Sequence, residues 1–272
     1  MGFPAWNLLF IVASSAVLLI NAAASAGCSN GQCGLLDECS KEEDCGAGLH
    51  CSSCTLGFSG SRCVRSAITD QFKLLNNSLP FNRYAYLTTH NAFAIEEEPS
   101  HTGVPRVTLT NQEDNITQQL HNGVRALMLD TYDFEGDIWL CHSPGGKCHD
   151  VTAFVRKFYG DGGMKAGECP ARKESAALGD KTKPLVLVNY FRSVPLKPLA
   201  CEQNSGDLIE MLKTCRAAAG NRWANFVAVD YYKRSEGGGS FQAVDMLNAK
   251  LLCGCDDLQA CAPGSTSGAC TH

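Results

Sequence analysis

Four stretches of the chain, residues 85–89, 124–129, 184–189 and 226–230, are apolar with few interruptions and about as long as a β-strand. A strand with one wet face alternates polar and apolar side chains, whereas a strand covered on both faces does not. These runs therefore predict strands buried in a parallel sheet. Residues 138–141 make a shorter fifth run that reads the same way. Helical spacing of apolar side chains recurs over residues 111–122, 208–219 and 242–251. Strand followed by helix, repeated, is the mark of the α/β class. Each long run also ends on polar side chains: His90 and Asn91, Asp130, Asn189 and Asp230. In parallel α/β folds the C-terminal strand ends build the active site, so these residues are expected to meet at one mouth.

The N-terminal part of the chain follows different rules. Residues 8–20 are apolar for about the length of a signal-peptide core, and Ala24-Ser25-Ala26 is a small-x-small cleavage sequence. Residues 1–26 are thus expected to be a signal peptide; the alternative of a membrane anchor is disfavoured because so short a run spans a bilayer poorly. The chain holds 16 cysteines, which persist as disulfides in an oxidising compartment. The expected localisation is secreted or extracellular, at the cell surface or cell wall. Two sequons, Asn76-Asn77-Ser78 and Asn115-Ile116-Thr117, fit that route.

Seven of the cysteines fall between Cys28 and Cys63, in a segment rich in Gly and Ser and poor in aliphatic residues. Such a segment cannot build a core, so residues 27–66 are expected to form a small disulfide-rich module. Its end, Cys51-Ser-Ser-Cys54 and then Gly57-Phe58-Ser-Gly60-Ser-Arg-Cys63, looks like the close of an EGF-like module suited to extracellular protein contacts. Zinc at the Cys-x-x-Cys pair is disfavoured, since no histidine stands at finger spacing. An odd count sends one cysteine to a partner outside the segment. Residues 67–256 then form the main domain, and 257–272 a cysteine-containing tail without the apolar stretch of a lipid-anchor signal. A net charge of −5 argues against nucleic acid as a partner.

Histidine is the side chain best suited to exchange protons near neutral pH. On a phosphodiester with a neighbouring hydroxyl, one neutral histidine takes the hydroxyl proton while a second, protonated histidine delivers one to the leaving oxygen. A cyclic phosphate results, and reversed roles hydrolyse it. His90 and His142 are the candidate pair, with Asp230 as the carboxylate that hydrogen-bonds the far ring nitrogen of one of them. Asn91 and Asp130 are hard oxygen donors suited to Ca²⁺ or Mg²⁺. Arg125 and Asn189 are the candidates for holding the phosphate, although Arg125 stands five residues before Asp130 and is therefore displaced along its strand. The plain structural alternative for Asp130 and Asp230 is capping of the next loop or helix.

His90-Asn91, the strand from Gly123-Val-Arg125 to Asp130, and His142-Ser143 after a short strand resemble the X-domain of phosphatidylinositol-specific phospholipase C. The match is closest to a secreted plant group with a cysteine-rich N-terminus. Tyr159-Gly-Asp161-Gly-Gly-Met164, Leu185-Val-Leu-Val-Asn189-Tyr-Phe191 and Ala228-Val-Asp230-Tyr-Tyr-Lys-Arg234 look like the C-terminal half of those proteins. The resemblance implies a distorted TIM barrel and the cyclising two-histidine reaction. His90 then resembles the base, His142 the acid and Asp230 the aspartate that orients His90. The implied substrate is an inositol phospholipid or a glycosyl-phosphatidylinositol-type ester at a membrane surface, cleaved in lipid metabolism.

Two departures qualify the resemblance. Met128 stands where the calcium-dependent members place a glutamate ligand, and Tyr132 where metal-independent members place an arginine. The main domain is also short. A TIM barrel takes about 250 residues, yet only a few residues separate Thr152-Ala-Phe154 from Tyr159-Gly-Asp-Gly-Gly, points that several strand–helix units separate in the family. The expectation is a TIM-barrel-like α/β domain lacking an internal segment of roughly 100 residues, or two to three strands. Such a loss leaves unpaired strand edges and a domain poorly stable alone. The competing expectation is a catalytically inactive extracellular binding protein.

Overall fold

The computed structural model describes residues 27–69, 79–96, 98–99, 109–134, 136–141, 164–172, 175–261 and 270. The expected signal peptide, the sequon at Asn76, His142 and the Tyr159-Gly-Asp-Gly-Gly segment lie outside the described residues.

The cysteine-rich segment is built on an antiparallel ladder of β1 (Leu49–Ser53) and β2 (Ser61–Arg65), with Cys51 opposite Cys63. Disulfides Cys28–Cys33, Cys39–Cys51 and Cys45–Cys63 staple it internally. Cys54 is the odd cysteine, and its partner is Cys201, 147 residues away. Polar contacts reinforce the junction. Arg65 donates to the buried Asp245 carboxylate at 2.5 Å, His50 Nε2 donates to the Lys233 carbonyl at 3.2 Å, and Arg234 donates to Ser52 Oγ at 3.1 Å.

The main domain contributes β3 (Tyr86–Thr89), β4 (Ala126–Leu127), β5 (Thr131–Phe134), β6 (Asp137–Leu140), β7 (Leu187–Asn189) and β8 (Phe226–Val229). It also contributes helices α1 (Ile116–His121), α2 (Lys197–Glu202), α3 (Leu208–Ala218) and α4 (Gly239–Leu252). The four strands expected from continuous apolar runs form one parallel sheet in the order β4-β3-β8-β7. Among the described residues this sheet is open, with β4 and β7 at its edges. One face carries Leu87, Val188, Val227 and Val229, which pack on Leu208 and Leu212 of α3 and Val244 and Leu247 of α4. Each such side chain contributes about 1.5–3 kcal/mol by leaving water.

Two expectations need correcting. The run at 138–141 does not join the parallel sheet: β6 pairs antiparallel with β5 as a hairpin, and Ile138 and Leu140 are exposed. So short a connection between consecutive strands favours local pairing over a crossover. The helix expected over 111–122 is confined to α1. Asn115 caps it by accepting from the Gln118 backbone N–H at 2.9 Å. The preceding residues are instead drawn off by contacts to the strand ends. After α1 the chain turns at Gly123, where φ is +98° and a Cβ would strike the Ile68 side chain, so glycine is required there.

Candidate active site

Register decides which side chains meet. Thr89 lies opposite both Leu127 and Val229, and Asn189 lies opposite Ala228. Continuing each strand by this count puts His90, Met128, Phe191 and Asp230 at one level. Thr88, Ala126, Asn189 and Ala228 form the level beneath, and Tyr86, Leu187 and Phe226 the next. Side chains of one face repeat every second residue, so these layers share the face opposite the helices.

At the top layer His90 Nδ1 lies 2.9 Å from Asp230 Oδ1. The imidazole lies flat on the Phe191 ring, with centroids 3.6 Å apart and planes 5° from parallel. Asp230 is buried and His90 reaches solvent at one edge. A carboxylate facing Nδ1 selects the tautomer with its proton there. That leaves Nε2 with its lone pair and no hydrogen-bond partner among the described residues. A ring held by a carboxylate at one nitrogen and presenting the other is arranged to accept a proton from a bound hydroxyl.

Three buried carboxamides from residues 111–119 hold this arrangement, and apolar periodicity gives no sign of them. Asn111 Nδ2 donates to Asp230 Oδ1 at 2.8 Å. Gln112 Nε2 donates to the carbonyls of His90 (2.9 Å) and Val229 (3.1 Å), tying two strand ends together. Gln119 accepts from Thr89 Oγ1 at 2.7 Å and donates to the Ala92 and Asp114 carbonyls at 2.8 Å each. All three are fully buried. From the opposite side Asn204 Nδ2 donates to the carbonyls of Asp230, Tyr231 and Arg234.

A charged cluster flanks the site. Glu113 pairs with Arg234 and with Lys197, the latter at 2.6 Å, and Lys197 also reaches Glu96 at 2.9 Å. Burial alone would raise the Glu113 carboxyl, but hydrogen bonds from Arg234 and Lys197 outweigh it and hold Glu113 below the usual range.

The other residues expected at the site fall elsewhere, or only partly into place. Asn189 lies one layer below His90, with its side-chain oxygen buried and without a hydrogen-bond partner among the described residues. It lines a cavity of about 450 Å³ together with Leu187, Met164 and Phe191, so Phe191 is shared between cavity and imidazole. Arg125 is engaged elsewhere: its guanidinium donates to the carbonyls of Leu120 (2.7 Å) and Val124 (2.8 Å) at the end of α1. Since Arg125 N–H bonds the Leu87 carbonyl, it stands toward the opposite end of the sheet, and the phosphate-holding role expected for it is withdrawn. His142 is outside the described residues.

For a hard cation, Asn91 offers a buried Oδ1 that has no hydrogen-bond partner among the described residues, on a residue held at φ 43°. Asp130 is exposed. Two oxygens fall well short of the six to eight that Ca²⁺ takes, and the Met128 thioether is a poor ligand for it. Among the described residues a Ca²⁺ site is therefore not assembled. The two clusters of metal-ligand spacing, Cys39/Cys45/Cys63 and Cys253/Cys255/Cys261, consist of disulfide-bonded cysteines. No helix of the described residues is long and apolar enough to cross a membrane.

The chain is 36% identical over 360 residues to a PI-PLC X domain-containing protein of Arabidopsis thaliana, a match covering 96% of this chain and 84% of the relative. An alignment of 360 positions exceeds the 272 residues of this chain by 88, so the relative carries at least that many positions without a counterpart here. No family model matches the chain, and no solved structure matches it.

Proposed function

Because the chain belongs to the PI-PLC X domain-containing proteins, we propose that it is a phosphoric diester hydrolase acting on an inositol phosphodiester through a cyclic phosphate. The observation that carries this reading is the His90–Asp230 pair at 2.9 Å, formed at Nδ1 and leaving Nε2 without a hydrogen-bond partner among the described residues. His90 Nε2 takes the proton of the inositol hydroxyl next to the phosphate. That oxygen bonds to phosphorus as the bond to the leaving alcohol oxygen breaks, and His142 as imidazolium protonates the leaving oxygen. Water then opens the cyclic phosphate with the two roles reversed. Asp230 holds the Nδ1 proton and stabilises the imidazolium as it forms. Asn91 and Asp130 remain in this reading as polar groups beyond the ends of β3 and β4.

The substrate of this reading is a phosphoinositide or a glycosyl-phosphatidylinositol-type ester at a membrane surface, outside the cell. The seven described disulfides support an oxidising compartment. The sheet order β4-β3-β8-β7 supports a barrel remnant: in a closed barrel of parallel strands, first and last strands are neighbours, as β3 and β8 are here. A second reading, a non-catalytic extracellular binding protein using its cysteine-rich module for protein contacts, is favoured by the 88 or more positions absent from this chain.

Incubation with phosphatidylinositol vesicles, with and without Ca²⁺, separates the two. Cyclic inositol phosphate that disappears in both His90→Ala and His142→Ala supports the hydrolase. No product from this chain, nor from a version carrying the relative's extra segment, sinks the enzymatic reading.

A further inference from the structure

We propose that Asn111 is a positioning residue for the reaction: its side-chain N–H holds the Asp230 carboxylate in the rotamer that keeps the proton of His90 on Nδ1. This inference rests on His90 being the base of the proposed function.

Asp230 is buried, and its Oδ2 has no hydrogen-bond partner among the described residues. All its hydrogen bonding therefore passes through Oδ1, which receives His90 Nδ1 at 2.9 Å and Asn111 Nδ2 at 2.8 Å. A buried carboxylate with one oxygen engaged is under-satisfied, and without Asn111 its one side-chain partner among the described residues would be the imidazole it is supposed to orient. The Asn111–His90 nitrogen separation of 3.3 Å follows from two donors converging on one oxygen.

Asn111 is itself fixed. Its N–H donates to the Ala94 carbonyl at 2.8 Å, and its carbonyl accepts from the Tyr231 N–H at 2.7 Å. The backbone of Asn111 thus bridges the turn after His90 and the loop after Asp230. Its amide orientation is set by chemistry. Oδ1 faces Asn91 Nδ2 at 3.4 Å and Nδ2 faces Asp230, whereas the flipped amide would set an oxygen against a carboxylate. Asn111 is fully buried, so water cannot replace the bond. Asn91, Asn111, Asp230 and His90 form one chain of polar contacts.

The test reads the tautomer directly, by long-range ¹H–¹⁵N correlation of the His90 ring in the full disulfide-bonded chain. In the unsubstituted protein Nδ1 is expected to be protonated and Nε2 bare. Asn111→Leu, close in volume and without a donor, is expected to shift the tautomer ratio toward Nε2–H by roughly tenfold, the scale of one charge-assisted hydrogen bond. Where turnover is measurable, kcat falls with little change in KM. A general loss of stability would shift the unfolding midpoint without changing the ratio.

A native His90 protonated on Nε2, or a folded Asn111→Leu protein with an unchanged ratio, overturns the proposal. Should Asn111→Leu fail to fold, the carboxamide protons of Asn111 in the unsubstituted protein decide it. One proton shifted downfield and slow to exchange supports the bond to Asp230, and two fast-exchanging protons overturn it. The expected tautomer shift in a protein without phosphodiesterase activity would leave Asn111 as the positioning residue and remove the hydrolase reading alone.

Discussion

The disulfide between Cys54 and Cys201 is the perturbation with the largest expected consequence. It joins the cysteine-rich module to α2, and the wide turn after α2 carries Asn204, whose amide gathers the carbonyls of Asp230, Tyr231 and Arg234. Removing a crosslink over 147 residues restores chain entropy to the unfolded state; the loop relation gives about 5 kcal/mol for that length. A domain of this kind has only about 5–15 kcal/mol in total, so the bond accounts for a large fraction of its stability. The Cys54→Ala/Cys201→Ala variant removes it without leaving free thiols. Urea unfolding followed by tryptophan fluorescence and circular dichroism should show a lower midpoint and a loss approaching that figure. The Arg65–Asp245 and His50–Lys233 contacts still hold the module, so the variant folds. A loss below about 1 kcal/mol, the size of an ordinary point mutation, would refute the reasoning that this bond stabilises the fold by restricting the unfolded chain.

Replacing Gln119 by Leu leaves the Ala92 and Asp114 carbonyls without a donor and Thr89 Oγ1 without its acceptor. Each lost partner costs about 1–3 kcal/mol, so thermal or chemical unfolding should show a total loss above about 3 kcal/mol. Burial first, and then the charge of Lys233, holds the His50 imidazole below its usual 6.5. The unfolded chain then takes up this proton before the folded one. The contribution of His50 is therefore complete above the unfolded value and is lost as pH falls through the folded one. Stability should decline as pH falls below about 6.5, with a weaker decline in His50→Gln. Arg125→Ala should leave any cyclic-phosphate production unchanged and lower stability by about 1 kcal/mol or less, since the side chain serves carbonyls at the end of α1.

The parallel sheet was legible because burial on both faces removes alternation, and four uninterrupted runs became its four strands. The meeting of His90 with Asp230 was legible for a related reason, since both end such runs. What composition could not supply was register. Asn189 also ends a run, yet its strand is set back by one rung, so Phe191 rather than Asn189 arrives at the level of His90. A shift of two residues is invisible to any count of apolar positions, because it preserves which face each side chain occupies. The carboxamides were hidden differently. Asn111, Gln112 and Gln119 sit in a stretch whose apolar spacing predicts helix, a pattern that says nothing of what its polar residues bond. They are buried because the strand ends and the Asp230 carboxylate need donors where water is excluded. Hydrogen-bond demand of that kind arises only once the strands are assembled. The site therefore divides along a physical line: the reacting imidazole and its carboxylate follow from where strands stop, while the groups that hold them follow from which polar atoms those strands leave unsatisfied.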